Sequence, residues 1–205
     1  MAEFVKAAGN LLMIFTKNQE EGKVKTRLAK DVGNRKALEI YSMLLEHTKN
    51  VALDVNCFRI VQYSDYIDFD DLFNSQYFLK DEQFQGDLGE RLIHAFRENF
   101  ADGYENIICI GSDCMELSSE IVTEAFEKLK SNDVVLGPAK DGGYYLIGMK
   151  RLHAQLFKNK EWSTSNVMLD TIIDFKKLNL SYELLETLSD VDNVNDLKGA
   201  LKAIL

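Results

Sequence analysis

One proline, one tryptophan, three histidines and three cysteines are all that this chain of 205 residues has of those types. Each scarcity removes a class of protein. With Pro138 alone, no proline-rich linker divides the chain. Cys57, Cys109 and Cys114 form no CxxC pair, and an odd cysteine count in apolar, strand-like surroundings fits reduced, buried thiols rather than a disulfide framework. His47, His94 and His153 sit in helical patterns and share no spacing that would bind a metal or build a nucleophile triad, so they are expected to be structural. Long apolar runs are missing too. The opening MAEFVKAAGNLLMIF has only five apolar residues in a row, too few for a signal-peptide core or a membrane span. Positive charge is in deficit, 24 Lys and Arg against 33 Asp and Glu, and a net charge of −9 repels nucleic acid and anionic lipid. The expected setting is cytoplasmic, with no nucleic-acid partner and no membrane insertion.

What is present is a regular alternation of apolar runs and helical stripes. Strands are predicted over LLMIF (11–15), VNCFRIVQYS (55–64), NIICIG (106–111), DVVLG (133–137), YYLIGM and LSYELLETL. Helices are predicted between them, over RKALEIYSMLLEHTKNVA with its stripe of Leu38, Tyr41, Leu44 and Leu45, over GERLIHAFRENF, over SSEIVTEAFEKLKS with a serine cap, over SNVMLDTIIDFKKLN, and over a closing NDLKGALKAIL. DYIDFDDLF is expected as a short surface helix or loop. No repeat, low-complexity tract or Gly/Ser linker interrupts this order, and 46% hydrophobic residues suffice for one sizeable core. The pattern predicts a single α/β domain over 1–205 with a mainly parallel sheet.

In such a sheet, ligands bind beyond the carboxyl ends of the strands, so the residues just after each strand carry the chemistry. After the first come Lys17, Lys23, Lys25, Arg27 and Lys30 against Glu20 and Glu21, a basic island in an acidic chain. Lysines supply point charge and arginine a bidentate fork, which suits phosphate or diphosphate as well as it suits an ordinary solvated loop. GKVKT lacks the earlier glycine of a P-loop, and no GxGxxG opens a helix. The strand NIICIG runs into Ser112 and Asp113, where a carboxylate can hold a hard divalent cation against phosphate oxygens. The alternative role for Asp113 is a helix cap, yet Ser118 and Ser119 lie closer to the helix that follows.

Further along, DVDNVNDL offers Asp190, Asp192 and Asp196, with Asn193 and Asp196 spaced as a capping pair. Asp141, Gly142 and Gly143 form an Asp-Gly hairpin turn that could also admit a ligand to the backbone. Asp87 and Glu90 are spaced as a capping box, which leaves Gln85 and Gly86 free before it. Trp162 opens WSTSN, where its ring could stack on a ligand or Ser163 could cap a helix.

Taken in order, FTKNQEEGKVKTRLA, QGDLGERL, IGSDCMEL, GPAKDGGYYLIG, WSTSNVMLDT and DVDNVNDL resemble the bacterial selenodomain-associated transferases. That family is also labelled arsenosugar-biosynthesis glycosyltransferase-like and belongs to the GT-A-type nucleotide-diphospho-sugar transferase superfamily. The resemblance spans residues 11 to 200. It implies a GT-A-like, three-layer α/β/α sandwich that moves a sugar from a nucleoside diphosphate sugar to a small acceptor with Mg²⁺ or Mn²⁺.

By position, Lys25 and Arg27 would contact phosphates and stabilise charge on the departing diphosphate, Thr16 and Lys17 would be further substrate-binding residues, and Gln85, Gly86 and Asp87 would meet the base or ribose. Gly111 and Ser112 would lead to the metal ligand Asp113, with Asp192 as the second metal ligand. Asp141 would orient or deprotonate the acceptor, while Gly142, Gly143, Trp162, Ser163 and Thr164 would fall on the sugar or acceptor side. The chain departs from the family pattern at Gln19 and Met115, where relatives often carry proline. Two alternatives stay open: a nucleotidyltransferase similar to the 2-phospholactate and molybdenum-cofactor guanylyltransferases, which takes a nucleoside triphosphate and releases pyrophosphate, and a non-catalytic nucleotide-sugar binder.

Overall fold

A computed structural model describes residues 9–204. The start of the segment weighed above as a leader, and the last residue of the expected closing helix, lie outside the described residues. Seven strands form one sheet: β1 (Asn10–Thr16), β2 (Phe58–Tyr63), β3 (Leu79–Glu82), β4 (Asn106–Ile110), β5 (Val134–Pro138), β6 (Tyr144–Met149) and β7 (Tyr182–Leu184). Their order is β3-β2-β1-β4-β6-β5-β7. Only β6 runs antiparallel to its neighbours, β4 and β5, which makes the sheet mainly parallel as expected. The helices are α1 (Thr26–Val32), α2 (Asn34–Asp54), α3 (Leu88–Ala101), α4 (Ser119–Leu129), α5 (Val167–Lys177) and α6 (Gly199–Lys202).

The strand period of two assigns the layers. In β1, Leu12 and Ile14 face a core shared with Tyr41 and Leu45 of α2 and Val122 and Phe126 of α4. Leu11 and Met13 point the other way, into a core with Leu92 and Phe96 of α3 and Phe175 of α5. Helices therefore cover both faces, and each fully buried Leu, Ile or Phe adds about 1.5–3 kcal/mol of hydrophobic stabilisation. A third, smaller cluster joins Leu28 of α1 and Ile40 and Leu44 of α2 to Val191, Leu197 and Leu201. It fastens the C-terminal segment over the end of the sheet where the site lies.

Several elements differ from expectation. α1 has a single buried residue, Leu28, too few to leave a periodic stripe. β3 reads LKDE and is largely exposed, with the charge typical of an edge strand, so no alternation marks it. The strand expected over LSYELLETL is only three residues long. The closing helix divides into a 3-10 turn at Val194–Asp196 and the four-residue α6, because Leu197 leaves the helical path to pack into the third cluster. DYIDFDDLF is a loop whose Asp71 forms a buried ion pair with Lys80 of β3 at 2.7 Å. Asn18 ties that loop to the basic segment by donating to Tyr66 O and accepting from Asp65 N. The three cysteines are free and buried.

Candidate active site

β1 pairs with β2 on one side and β4 on the other, so strand order reverses between β1 and β4 and a crevice opens beyond Thr16 and Ile110. A cleft of about 670 Å³ occupies that place. Thr16, Lys17, Lys25 and Arg27 line it from the basic segment, and Gly111, Ser112 and Asp113 from the end of β4. Asp141, Ser163, Thr164 and Asp192 line it from three further segments.

Lys25 organises the charge. It is the residue before α1, held in the left-handed region at φ 45°, which costs a non-glycine residue about 1–2 kcal/mol. Its side chain is only 5% exposed, and its ammonium lies 2.7 Å from Asp113 Oδ1 and 3.7 Å from Asp192 Oδ1. The Asp113 contact is an ion pair without hydrogen-bond alignment, and Asp192 lies beyond hydrogen-bond distance. Arg27, exposed at the rim, donates to Asp192 Oδ2 at 3.3 Å.

Asp192 is placed by a local device. Asp196 accepts from the backbone N–H of Asp192 and of Asn193, and Asn193 caps the 3-10 turn, as the capping spacing predicts. Val191 N donates to Asp113 O at 2.9 Å, which fixes the two carboxylate-bearing loops side by side. Glu116 clamps the same segments, accepting from Ser189 N and pairing with Lys198, and these partners hold its carboxyl below the usual range.

Two more carboxylates stand near. Asp141 Oδ1 accepts from Gly143 N within the β5–β6 turn, with Oδ2 making no contact of this kind. Burial, reinforced by the charges of Asp113 and Asp141, pushes the Asp190 carboxyl up to about 7. Asp113 and Asp192 meet at Lys25, and the charges of Asp113 and Asp141 are felt at Asp190, an acidic place that fits a hard cation. Among the described residues no three His, Cys, Asp or Glu side chains come close enough to hold a metal alone. Asp113 and Asp192 would therefore supply two ligands and leave the rest to ligand and water oxygens, as Mg²⁺ commonly accepts.

Tyr41 joins the two strand ends. Its hydroxyl lies 2.9 Å from Thr16 Oγ1 and 3.3 Å from Ser112 Oγ, and it accepts from Lys17 N at 2.9 Å. Burial pushes the phenol up, so it stays protonated. Nearby, Gln83 is buried and donates through Nε2 to Thr16 O and Gln62 O, while Arg91 donates to Gln83 Oε1 and Gly86 O.

Six residues considered from sequence do not line the cleft: Gln85, Gly86, Asp87, Gly142, Gly143 and Trp162. Gln85 is exposed and the cleft instead has Gln83, two residues earlier and facing in from the end of β3. Asp87 caps α3 in a complete capping box with Glu90. Trp162 packs edge-on against Tyr144, their rings 6.5 Å apart, and thereby serves the core. Ser163 does not cap α5, whose cap is Asn166 without a side-chain bond. Gly142 supports the rim: at φ +91° its backbone accepts from Met168 N, and an added Cβ would lie 2.1 Å from Ser165 O.

Sequence reasoning missed Tyr41, Gln83 and Arg91 as cleft residues. Arg91 did leave a signal, because a cation near a helix N-terminus opposes the dipole and so has another reason to be there. Two of the histidines serve structure: His47 Nε2 meets Leu117 O at 2.8 Å, and His94 stacks on Phe84.

The profile of the family described as "Uncharacterized protein conserved in bacteria (DUF2064)" matches residues 50–164. In structure, the chain is similar to a Desulfovibrio desulfuricans G20 protein proposed to be a nucleotide-diphospho-sugar transferase. The identity is 30%, the TM-score 0.87, and 96% of this chain and 94% of that one are covered. The fold is shared more distantly with a 4-diphosphocytidyl-2C-methyl-D-erythritolsynthase from Anaerococcus prevotii DSM 20548 (9% identity, TM-score 0.58, 92% and 94% covered). It is also shared with the inositol-1-phosphate CTP transferase of T. maritima (11%, 0.55, 97% and 95%). No curated protein matches the chain in sequence.

Proposed function

The chain belongs to the family DUF2064 and has the nucleotide-diphospho-sugar transferase fold, and from that premise we propose that it is a metal-dependent glycosyltransferase acting on a nucleoside diphosphate sugar and a small hydroxylated acceptor. The observation that carries this is the buried Lys25 ammonium between Asp113 and Asp192 at the topological switch point, with Lys17 and Arg27 beside it.

The chemistry follows from charge. As the bond between the anomeric carbon and the diphosphate oxygen breaks, negative charge gathers on the leaving diphosphate, and Lys25, Arg27 and Lys17 stabilise it. Mg²⁺ or Mn²⁺ on Asp113 and Asp192 would supply Lewis-acid stabilisation of that same charge. Asp141 offers Oδ2 to the acceptor hydroxyl, orienting it and taking its proton as the new bond forms. Ser163, Thr164 and Ser165 give the rim hydroxyl groups suited to a sugar or acceptor. Arg91, held beside Thr16 by the buried Gln83, is suited to the nucleoside end, where its guanidinium can meet base or ribose.

Nucleotidyl transfer to a phosphorylated acceptor, with pyrophosphate released, is the competing reaction. The fold accommodates it as well, being shared with the inositol-1-phosphate CTP transferase of T. maritima.

Thermal shifts with nucleoside diphosphate sugars, nucleoside diphosphates and nucleoside triphosphates, each with Mg²⁺, Mn²⁺ or chelator, test the proposal, since a ligand at a hundred times its Kd adds about 2.7 kcal/mol. A metal-dependent shift with one diphosphate sugar, followed by release of nucleoside diphosphate in the presence of acceptor, supports glycosyl transfer. Selective stabilisation by one triphosphate with pyrophosphate release would replace it with nucleotidyl transfer. Binding without turnover would make the protein a binder, and no shift with any ligand would sink the phosphate site.

A further inference from the structure

A buried lysine that touches two carboxylates yet makes no aligned hydrogen bond calls for an explanation beyond phosphate binding. A lysine kept only for an incoming diphosphate would be expected to point to solvent, where its ammonium is hydrated. Lys25 instead is folded inward, 95% of its side chain covered, while Asp113 and Asp192 beside it are 45% and 37% exposed. The cation is the buried member and the acids form the open side. Its backbone is held left-handed to achieve this, a conformation α1 does not need for capping, since the residue makes no side-chain cap.

We infer that in the ligand-free protein the Lys25 ammonium is a resident counter-cation occupying the place between Asp113 and Asp192 that a divalent cation would take. Cation and lysine then compete for the same carboxylate oxygens. With Lys25 in place the charge of the two carboxylates is already partly offset, and a divalent cation alone binds poorly. When a diphosphate arrives, Lys25 gains a second anionic partner and can turn to it, releasing Asp113 and Asp192 to the metal. Metal and nucleotide therefore bind with positive coupling, each raising the affinity for the other by the same factor. This rests on the nucleotide-and-metal site proposed above, and it adds that metal loading depends on the nucleotide.

The device has a second part. Arg27 pairs with Asp192 Oδ2, so the acid farther from Lys25 is also partly neutralised in the free protein. Arg27 is exposed and loses little on leaving, because a solvent-exposed pair of this kind is weak. Lys25, buried, is the partner whose removal is decisive.

The test titrates Mn²⁺ alone into the intact wild-type protein, Lys25→Met and Lys25→Gln, following the loss of the free Mn²⁺ electron paramagnetic resonance signal. Lys25→Gln keeps a polar head without charge, so one variant still reports if the other misfolds. A Lys25→Met/Asp113→Asn double variant locates the ion. Removing a unit charge at contact distance from two carboxylates should tighten Mn²⁺ binding at least about tenfold in both single variants, and Asp113→Asn should abolish the gain. Equal Mn²⁺ affinity in wild type and single variants, or no Mn²⁺ binding by any of them, would overturn the inference.

Equilibrium dialysis of CDP, GDP and UDP against wild type, with and without Mn²⁺, separates the two proposals. Nucleotide binding strengthened by Mn²⁺ supports the coupling, and nucleotide binding indifferent to Mn²⁺ overturns it. If no nucleotide binds under either condition the functional proposal fails, whereas the nucleotide-free titration still decides whether Lys25 guards the carboxylates.

Discussion

The Tyr41 hydroxyl lies 3.3 Å from Ser112 Oγ, across the switch point where the ends of β1 and β4 part. The same hydroxyl meets Thr16 and Lys17, so one helix residue ties both walls of the cleft together. Tyr41→Phe keeps the ring in its core and removes only these bonds. Loss of about 1–3 kcal/mol in urea unfolding is expected, because the Thr16 and Ser112 hydroxyls are buried and lose a partner. Weaker nucleotide binding in dialysis should accompany it, as Lys17 and Ser112 lose their common anchor.

Asp113 is expected to matter for turnover more than for fold. Asp113→Asn keeps shape and one oxygen but removes the charge facing Lys25. Turnover should fall by about a hundredfold or more, the scale of losing one electrostatic contact in a transition state. Nucleotide affinity measured in chelator should hold or rise, because Lys25 is then freed from its acid. A variant with unchanged turnover would remove Asp113 from the site.

Gly142→Ala tests the rim. Positive φ alone costs an alanine about 1–2 kcal/mol, and the new methyl would run into the Ser165 backbone. A clear drop in unfolding midpoint is expected, with turnover falling as well, since Asp141 precedes this residue and the Ser163–Ser165 segment rests on it. Gly143→Ala is the contrast, because its Cβ would meet only the Asp141 side chain. It should be tolerated far better.

Lys80 and Asp71 probe stability away from the cleft chemistry. Both side chains are buried, and Tyr63 also donates to Asp71. Lys80→Met strands the carboxylate and should cost about 3–5 kcal/mol, whereas the Lys80→Met/Asp71→Leu pair should recover much of it. Denaturant midpoints of the three proteins decide this, and a double variant no better than the single would refute it.

Acid sensitivity has a local source at Asp133. Its carboxylate accepts from the Ser181 hydroxyl and the Ser181 N–H, and these bonds hold it below the usual aspartate range. A depressed carboxyl contributes stability that is fully present above its unfolded pKa, about 3.9, and is lost as pH falls through the folded value. Asp133→Ala should therefore cost about 1–2 kcal/mol at pH 7, with the gap from wild type closing below pH 4. A gap constant down to pH 2 would point to packing instead.

Much of the architecture was legible in the chain itself. β1, β2, β4, β5, β6 and the long helices announce themselves because local periodicity is what builds them, and the caps at Asp87, Ser118 and Asn193 depend only on residues within one turn. The elements that escaped, α1 and β3, bury too little to leave a period. The basic segment and Asp113 stood out for the same local reason: charge and an acid placed directly after buried strands.

Tertiary structure alone decided the partners. Nothing near Lys25 in sequence says that it turns inward to Asp113 and Asp192, or that Val191 docks on α1 and α2 to bring Asp192 there. Nor does the composition of DEQFQGD distinguish Gln83, which faces the cleft, from Gln85, which faces solvent. Local pattern fixes which face of an element is buried. Which distant charge a side chain meets depends on how strands order themselves in the sheet, and at the switch point that order converts scattered acids and lysines into one site.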